Sequence, residues 1–332
     1  MQVIVRKVIA VIVLLVFSVF LYSGCTLNPK PISTYLQVQN SAPKGTPDIS
    51  KQNPEFDFTD VNLEEVVRSQ LGKSVGPIYL SEIQGITKIS ARICSIRSID
   101  DLKYFISLEE LDLYGNRISD ITPLSGLTKL RILNLSKNYS LNSQSKDKPG
   151  MQIECLNNIT SLEELYLDYN AIVVVNHLSR LVKLRTLSLN HNNVTDISLL
   201  SGLTKLTYLD ISNNVEIESN LKETGISDIS VIKNMPNLEY LDISNNVVID
   251  ISTVNSCAKL KYLYAGFNLL TDLNYLENNS SIEELRVNNN FITSFNFILK
   301  MLALKQLQYQ GNPISDYTLT DEMFPQIEKN SN

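Results

Sequence analysis

Apolar residues recur along this chain in a fixed frame. In Leu108-Glu109-Glu110-Leu111-Asp112-Leu113 apolar and polar positions alternate around Leu111 and Leu113, the pattern of a short half-buried strand. Ile118, Ile121, Leu124 and Leu127 follow and point to the same interior. An apolar opener then restarts the frame. The openers are Leu108, Leu130, Leu162, Leu184, Leu206, Leu238, Leu260, Ile282 and Leu304; six of the eight spacings between them are 22 residues and the other two are 32. One such unit cannot bury its apolar face alone. A fixed period of this length therefore predicts a solenoid, in which stacked neighbours make one continuous core.

Eight residues after each opener stands an asparagine: Asn116, Asn138, Asn170, Asn192, Asn214, Asn246, Asn268, Asn290 and Asn312. Each sits where the chain leaves its strand. A side-chain amide both donates and accepts, so the nine are expected to form a ladder that satisfies buried turn backbone of their own coil and the adjacent one. They are read as structural, and N-x-S/T matches such as Asn138-Tyr139-Ser140 are taken as chance. Asp120, Asp196, Asp228, Asp250, Asp272 and Asp316 hold a similar fixed place before the next apolar residue. They are expected to cap short helical turns on the convex side rather than to bind metal.

The frame L-x-x-L-x-L-x-x-N is the leucine-rich repeat consensus. Before it, the residues from Phe56 to Val67 read as a capped helix, with Asn62 and Glu65 resembling a capping box and Val66, Val67 and Leu71 as its inner face. Three further features are specific. They are F-x-D-x-N-L-E-x-x-V-R from Phe58, Gly85-Ile86-Thr87-Lys88-Ile89, and Asn116 to Leu130 reading N-x-I-S-D-I-x-P-L-x-x-L-x-x-L. Over roughly residues 56–320 the chain resembles the internalin-type family of bacterial surface proteins. The resemblance implies an α/β leucine-rich repeat solenoid: a curved right-handed coil with a parallel β-sheet on the concave face, short 3-10 or extended segments on the convex face, and a helical N-terminal cap. It also implies protein binding on the concave side. Members of that family commonly continue into an immunoglobulin-like domain and a cell-wall anchor. Here no wall-sorting motif follows Asn312, and Gly311-Asn312-Pro313-Ile314 with Asp321 to Ile327 looks like a short C-terminal cap. A host-invasion role is not carried over.

The N-terminus changes the picture of location. Arg6 and Lys7 precede an apolar run from Val8 to Tyr22, and Leu21-Tyr22-Ser23-Gly24-Cys25 follows. This order reads as an export signal. Its ending resembles the lipobox of bacterial lipoproteins, which implies acylation of Cys25, although Tyr22 replaces the usual leucine. The alternative is an uncleaved membrane anchor, with the rest of the chain outside in either case. The expected organisation is a signal peptide at 1–24, a lipidated flexible spacer at 25–55, and a helical cap at 56–85. Repeats follow at 86–312, one degenerate coil plus nine, with a C-terminal cap at 313–332. The expected location is the outer face of the bacterial cell membrane.

The 332 residues carry a net charge of −6, and removal of residues 1–24 takes away two bases and no acid, leaving −8. That balance argues against nucleic acid, which selects clustered Lys and Arg. Cys94 occupies the ladder position of a degenerate first coil and Cys257 that of Leu127. Three cysteines beyond Cys25, without C-x-x-C spacing, indicate neither a disulfide framework nor a zinc site. Only two histidines occur, and no nucleophile, phosphate-loop or metal motif accompanies them. His177 is expected in solvent on the convex side, and His191 on the concave side as a contact residue. No cofactor, metal or enzymatic activity is expected. Each of the two long repeats carries ten extra residues, within Ser136–Gly150 and Asn214–Gly225. Both leave the same rim, as ligand clamps or as tolerated loops.

The outward positions of the nine strands carry an aromatic series: Tyr114, Tyr166, Tyr169, Tyr208, Tyr240, Tyr262, Tyr264 and Phe267. The same positions hold seven acids (Glu110, Asp112, Glu164, Asp168, Asp210, Asp242, Glu284) and two bases (Lys137, Arg286). At strand spacing the strip spans about 38 Å. Tyrosine suits strands for its own sake, yet a contiguous exposed series also gives large contact area at low entropic cost. The aromatic set with Asp168, Asp210 and Asp242 is the candidate partner-binding site, centred on Tyr208, Tyr240 and Tyr262. Its acidic excess points to a protein or peptide that is basic or rich in hydrogen-bond donors. A carbohydrate ligand is the alternative, because Tyr faces beside carboxylates suit sugar rings. A passive spacer is the weaker alternative.

Overall fold

A computed structural model describes residues 53–138, 150–217, 223–314 and 328–329. The proposed signal peptide, Cys25 and almost all of the spacer lie outside the described residues. So do 139–149 and 218–222 within the two insertions, Asp316, and Asp321 to Ile327.

The 22-residue frame becomes one coil per period. Each coil contributes a three-residue strand: β1 (Lys88–Ser90), β2 (Glu110–Asp112), β3 (Ile132–Asn134), β4 (Glu164–Tyr166), β5 (Thr186–Ser188) and β6 (Tyr208–Asp210). After a short hairpin of β7 (Glu216–Ile217) and β8 (Glu223–Thr224), the series continues with β9 (Tyr240–Asp242), β10 (Tyr262–Tyr264), β11 (Glu284–Arg286) and β12 (Gln306–Gln308). All coil strands pair parallel in chain order, with β13 (Glu328–Lys329) added beside β12. The register never slips. The central leucines Leu111, Leu133, Leu165, Leu187, Leu209, Leu241, Leu263, Leu285 and Leu307 oppose one another from strand to strand. A slip of one residue would turn every one of them out of the core. The second insertion leaves this column intact, because β6 pairs directly with β9 while the antiparallel β7 and β8 stand outside the main sheet.

Between strands the chain returns through short 3-10 turns such as Thr122–Gly126, Ser198–Gly202 and Ser252–Ser256. The aspartates expected to cap them do so. Asp120, Asp196, Asp228, Asp250 and Asp272 each accept the backbone N–H two residues on, at 2.7 to 2.8 Å. The apolar residues of strands and turns form one continuous core from Leu63 to Leu307. This architecture is a leucine-rich repeat solenoid.

The asparagine ladder fills the strand-exit corner. Asn192 donates to the carbonyls of Leu189 in its own coil and Leu167 in the preceding one, at 2.9 and 3.0 Å. Its carboxamide oxygen accepts the N–H groups of Asn170 and Ile172. The first coil has Cys94 in this place. It lies buried, and its backbone N–H and that of Ile96 donate to Asn116.

The cap differs in detail from the capping box expected at Asn62. Helix α1 (Val61–Leu71) has Asp60 as its N-cap, accepting from the N–H groups of Asn62 and Leu63. The other Asp60 oxygen accepts from Arg97 and Ser98 of the first coil. One carboxylate thus starts the helix and ties it to the solenoid, which the Asn62 amide, already inside the helix, cannot do. Burial works against this charge, but the four N–H donors hold the Asp60 pKa below its usual value. Leu63 and Val67 are fully buried, and Val66 and Leu71 only partly. A second helix, α2 (Leu80–Gln84), completes the cap and buries Ile83.

One register device lies outside the apolar frame. The residue after each opener alternates in sign along the edge of the sheet: Glu109, Arg131, Glu163, Arg185, Thr207, Glu239, Lys261, Glu283, Lys305. Ion pairs form between neighbouring coils, as at Arg131–Glu163, Lys261–Glu239 and Lys305–Glu283. Each exposed pair is worth less than about 1 kcal/mol, and a one-residue shift would part it, setting Glu163, for example, against Leu130 or Ile132 in place of Arg131.

Candidate functional site

The outer sheet face is built from the strand positions flanking the central leucine and from the corner before the ladder asparagine. At its centre the rings of Tyr208 and Tyr240, opposite each other on β6 and β9, stack with centroids 4.3 Å apart and planes 7° from parallel. Tyr262 on β10 continues the row at 6.3 Å, and Tyr264 meets Tyr240 edge-on at 5.2 Å. Strand spacing dictates the stack, since side chains at one register position lie about 4.8 Å apart. Tyr262 keeps 38 % of its surface exposed. The Arg286 guanidinium covers the Tyr264 ring at 4.1 Å while bridging to Glu284. Desolvation, helped by neighbouring carboxylates, pushes the hydroxyls of Tyr208 and Tyr264 up to about 12 and that of Tyr240 higher still. These tyrosines present neutral O–H groups at every physiological pH.

Of the three candidate aspartates, Asp210 and Asp242 end the strands that Tyr208 and Tyr240 begin and Asp168 follows β4 two coils away; all three are less free than the sequence pattern implies. Asp210 and Asp242 each accept the backbone N–H two residues on, from Ser212 and Ser244. The Ser212 hydroxyl donates to Asp210 as well. Asp168 bridges three coils, accepting from the Ser136 and Ser188 hydroxyls and from the Asn190 backbone. Burial raises all three pKa values. Desolvation and the adjacent Asp242 bring Asp210 to about 6.

Of the remaining acids, Glu110 pairs with Lys88, Asp112 with Arg92 and Glu284 with Arg286. Lys88 and Arg92 come from β1 and the segment after it, below the nine regular repeats, so the repeat frame gives them no place. The acidic excess on this face is therefore concentrated on Glu164, Asp168, Asp210 and Asp242. Tyr166 is set apart from the central row and donates its hydroxyl to Glu164. Phe267 is half-buried and joins none of the ring contacts of the strip.

A second group forms nearer the N-terminus. The Lys137 ammonium lies over the rings of Tyr114 and Tyr169 at 5.5 and 4.8 Å. Tyr169 stacks on His191 at 4.1 Å, and Arg92 covers the far side of the group at 4.4 Å from Tyr114. Desolvation and the Lys137 charge both push the His191 pKa down, so its ring is neutral at pH 7. His177, expected in solvent, is half-buried, with Nε2 3.7 Å from Glu154.

The corner residue before each ladder asparagine adopts a left-handed conformation. In order these are Gly115, Lys137, Tyr169, His191, Asn213, Asn245, Phe267, Asn289 and Gly311, with φ between 52° and 75°. For a side chain other than Gly or Asn this backbone costs roughly 1–2 kcal/mol. Aligning that one column would have singled out Lys137 and His191 from sequence; the outward-position rule alone gave them no special weight.

Among the described residues no group of three or more His, Cys, Asp and Glu side chains is placed to hold a metal ion. Burial raises the Cys155 thiol to about 12 and the Cys257 thiol to about 11.

A family model of leucine-rich repeats in two copies matches residues 106–145 and 182–223. Among solved structures, the chain is similar to an internalin (inlF) from Listeria monocytogenes. The match has 25% identity and a TM-score of 0.58, and covers 83% of this chain and 96% of that one. It is similar to internalin C2 of the same organism at 26% identity and a TM-score of 0.55, over 75% and 93% of the two chains. The functional domain of InlJ from Listeria monocytogenes, which includes a cysteine ladder, matches at 22% identity with a TM-score of 0.68. That alignment covers 83% of this chain and 56% of the other, and it supports the fold alone. With the repeats, the helical cap and the register all in place, the chain has the leucine-rich repeat fold and is similar to the internalins.

Proposed function

We propose that this protein is an exported, membrane-anchored binding protein that recognises a protein or peptide partner through its outer sheet face. Cys25 is the proposed lipid attachment point, and the cell exterior the proposed location. The observation that carries the reading is the row of four tyrosines on three adjacent coils, Tyr208, Tyr240, Tyr262 and Tyr264, in mutual ring contact. Rigid rings already packed against one another lose little side-chain freedom on binding, so their contact area translates efficiently into affinity. The carboxylates of Asp168, Asp210 and Asp242 favour basic or donor-rich groups on the partner.

Two experiments test this. A pull-down with the chain against surface and secreted proteins, run beside a glycan array, separates protein from carbohydrate ligands. A captured protein should bind less tightly as salt rises, because exposed charges are screened within about 10 Å at 0.1 M, whereas stacking on a neutral glycan should hardly respond. Simultaneous alanine at Tyr208, Tyr240 and Tyr262 is expected to weaken binding of that partner at least a hundredfold, the loss of about two hot-spot residues. Unchanged affinity in the triple variant would end the sheet-face reading.

A further inference from the structure

The left-handed corners carry information beyond the fold. Gly or Asn occupies five of the nine, at Gly115, Asn213, Asn245, Asn289 and Gly311. These are the residues for which that backbone is easiest. Lys137, Tyr169 and His191 stand instead on three consecutive coils. The fold does not require them, since Gly and Asn serve the same corner elsewhere, and strain of this kind collects where side chains have work to do. Together with Tyr114 they make a ledge in which the Lys137 ammonium rests against two ring faces and a third ring, His191, backs the second.

The charge on this ledge is only partly balanced: Asp168 lies near enough to feel Lys137, but its carboxylate is half-buried and taken up by the Ser136 and Ser188 hydroxyls and the Asn190 N–H. Of the cations on the sheet face, Lys88, Arg92 and Arg286 each bridge to a carboxylate. Lys137 makes no ion pair among the described residues, and its side chain is exposed. A partner covering the tyrosine row would also take water from this ammonium. A buried charge without a direct ion pair is unfavourable, and the ring faces and the already-bonded Asp168 supply only part of the compensation. An anion on the partner would supply the remainder. The neutral His191 ring adds no second cation that would draw in a doubly charged group.

We propose that the ledge of Tyr114, Lys137, Tyr169 and His191 receives a carboxylate of an extended peptide partner and so sets the direction in which that partner lies along the solenoid. The inference rests on the sheet-face recognition proposed above. The basic-preferring centre at Asp210 and Asp242 lies three to four coils further on, about 14 to 19 Å at strand spacing. An extended chain advances roughly 3.3 Å per residue, so the acidic and basic groups of the partner are separated by roughly four to six residues.

The test uses an array of immobilised peptides with amidated C-termini. Each carries one acidic and one basic residue separated by one to eight positions, in both orders. It is probed with the full chain, with Lys137→Asn, and with the Tyr208, Tyr240 and Tyr262 triple-alanine variant. Asn stands at this corner in three other coils, so Lys137→Asn is expected to fold with equal or higher stability. It should nevertheless lose at least tenfold of the preference for the acidic residue while keeping that for the basic one. The unaltered chain should favour one order and the intermediate spacings. An acidic preference unchanged in Lys137→Asn overturns the ledge while leaving the sheet-face reading standing if the triple variant has lost binding. A triple variant that binds normally removes both. No preference for order or spacing by the unaltered chain, or capture of acidic glycans in place of peptides, also overturns the ledge.

Discussion

Replacing Asn192 with alanine is expected to destabilise the solenoid by about 3–5 kcal/mol. The side chain is almost fully buried, and its amide donates to the Leu167 and Leu189 carbonyls. Its oxygen accepts from the backbone N–H groups of Asn170 and Ile172. Alanine leaves all four backbone groups in a corner closed by the neighbouring coils. An unsatisfied buried polar group costs about 1–3 kcal/mol, and partial relaxation keeps the total below the simple sum. Asn312 makes the same kinds of bond to Val287, Tyr309 and Ile292 but lies only partly buried in the last regular coil. Asn312→Ala should therefore cost less, about 1–2 kcal/mol, because water can replace the lost partners. Urea unfolding of the two variants measures the gradient. Equal small effects would mean that the ladder does not hold the coils together.

The second large effect is pH-dependent. The Asp210 carboxyl is raised from 3.8 to about 6, so the folded protein holds a proton there that the unfolded chain has released. With a raised native pKa, the contribution of this group is fully present below about pH 4 and is lost as pH rises through 6. Above pH 6 the folded state carries a poorly solvated charge next to Asp242. Asp210→Asn removes that burden while keeping the turn, because Asn134 already accepts the Ser136 N–H in the equivalent place on β3. The variant should match the unaltered protein at pH 4 and exceed it at pH 8 by about 1–3 kcal/mol, since each pH unit separating the folded and unfolded pKa is worth roughly 1.4 kcal/mol. Unfolding midpoints for both proteins across this range supply the measurement. A variant that is less stable than the unaltered chain at pH 8 would show that the ionised Asp210 is well accommodated. The same protonation gives binding a direction. If the partner is basic at the central tyrosines, its affinity should fall between pH 7.5 and pH 5.

Most of the fold was legible because a repeat states each rule many times. The openers, the central leucines and the ladder asparagines each recur at nine positions, so the strand register and the corner hydrogen bonds followed from spacing alone. The cap was less legible, since it occurs once. Asp60 and Asn62 are both good helix starters by type, and only the tertiary reach of Asp60 to Arg97 and Ser98 separates them.

The candidate site was legible as a list of outward residues but not as an arrangement. Counting strand positions gathered Tyr208, Tyr240 and Tyr262 correctly into one row. It could not say that Asp168 would be taken up by two serine hydroxyls, or that Lys88 and Arg92 of the irregular first coil would neutralise Glu110 and Asp112. Those depend on side-chain reach between coils, which a one-dimensional repeat does not encode. The left-handed corner is different. It was present in the sequence as a column, and its physical meaning appears only with the backbone angles.

The most direct measurement of the proposed recognition is tyrosine-selective chemical footprinting of the chain with and without a captured partner, read residue by residue by mass spectrometry. Sheet-face recognition requires that Tyr208, Tyr240 and Tyr262 lose reactivity on binding, while Tyr79 and Tyr104, exposed on the cap and the first coil, keep theirs. Unchanged reactivity at the three central tyrosines under saturating partner, with protection elsewhere, would contradict it.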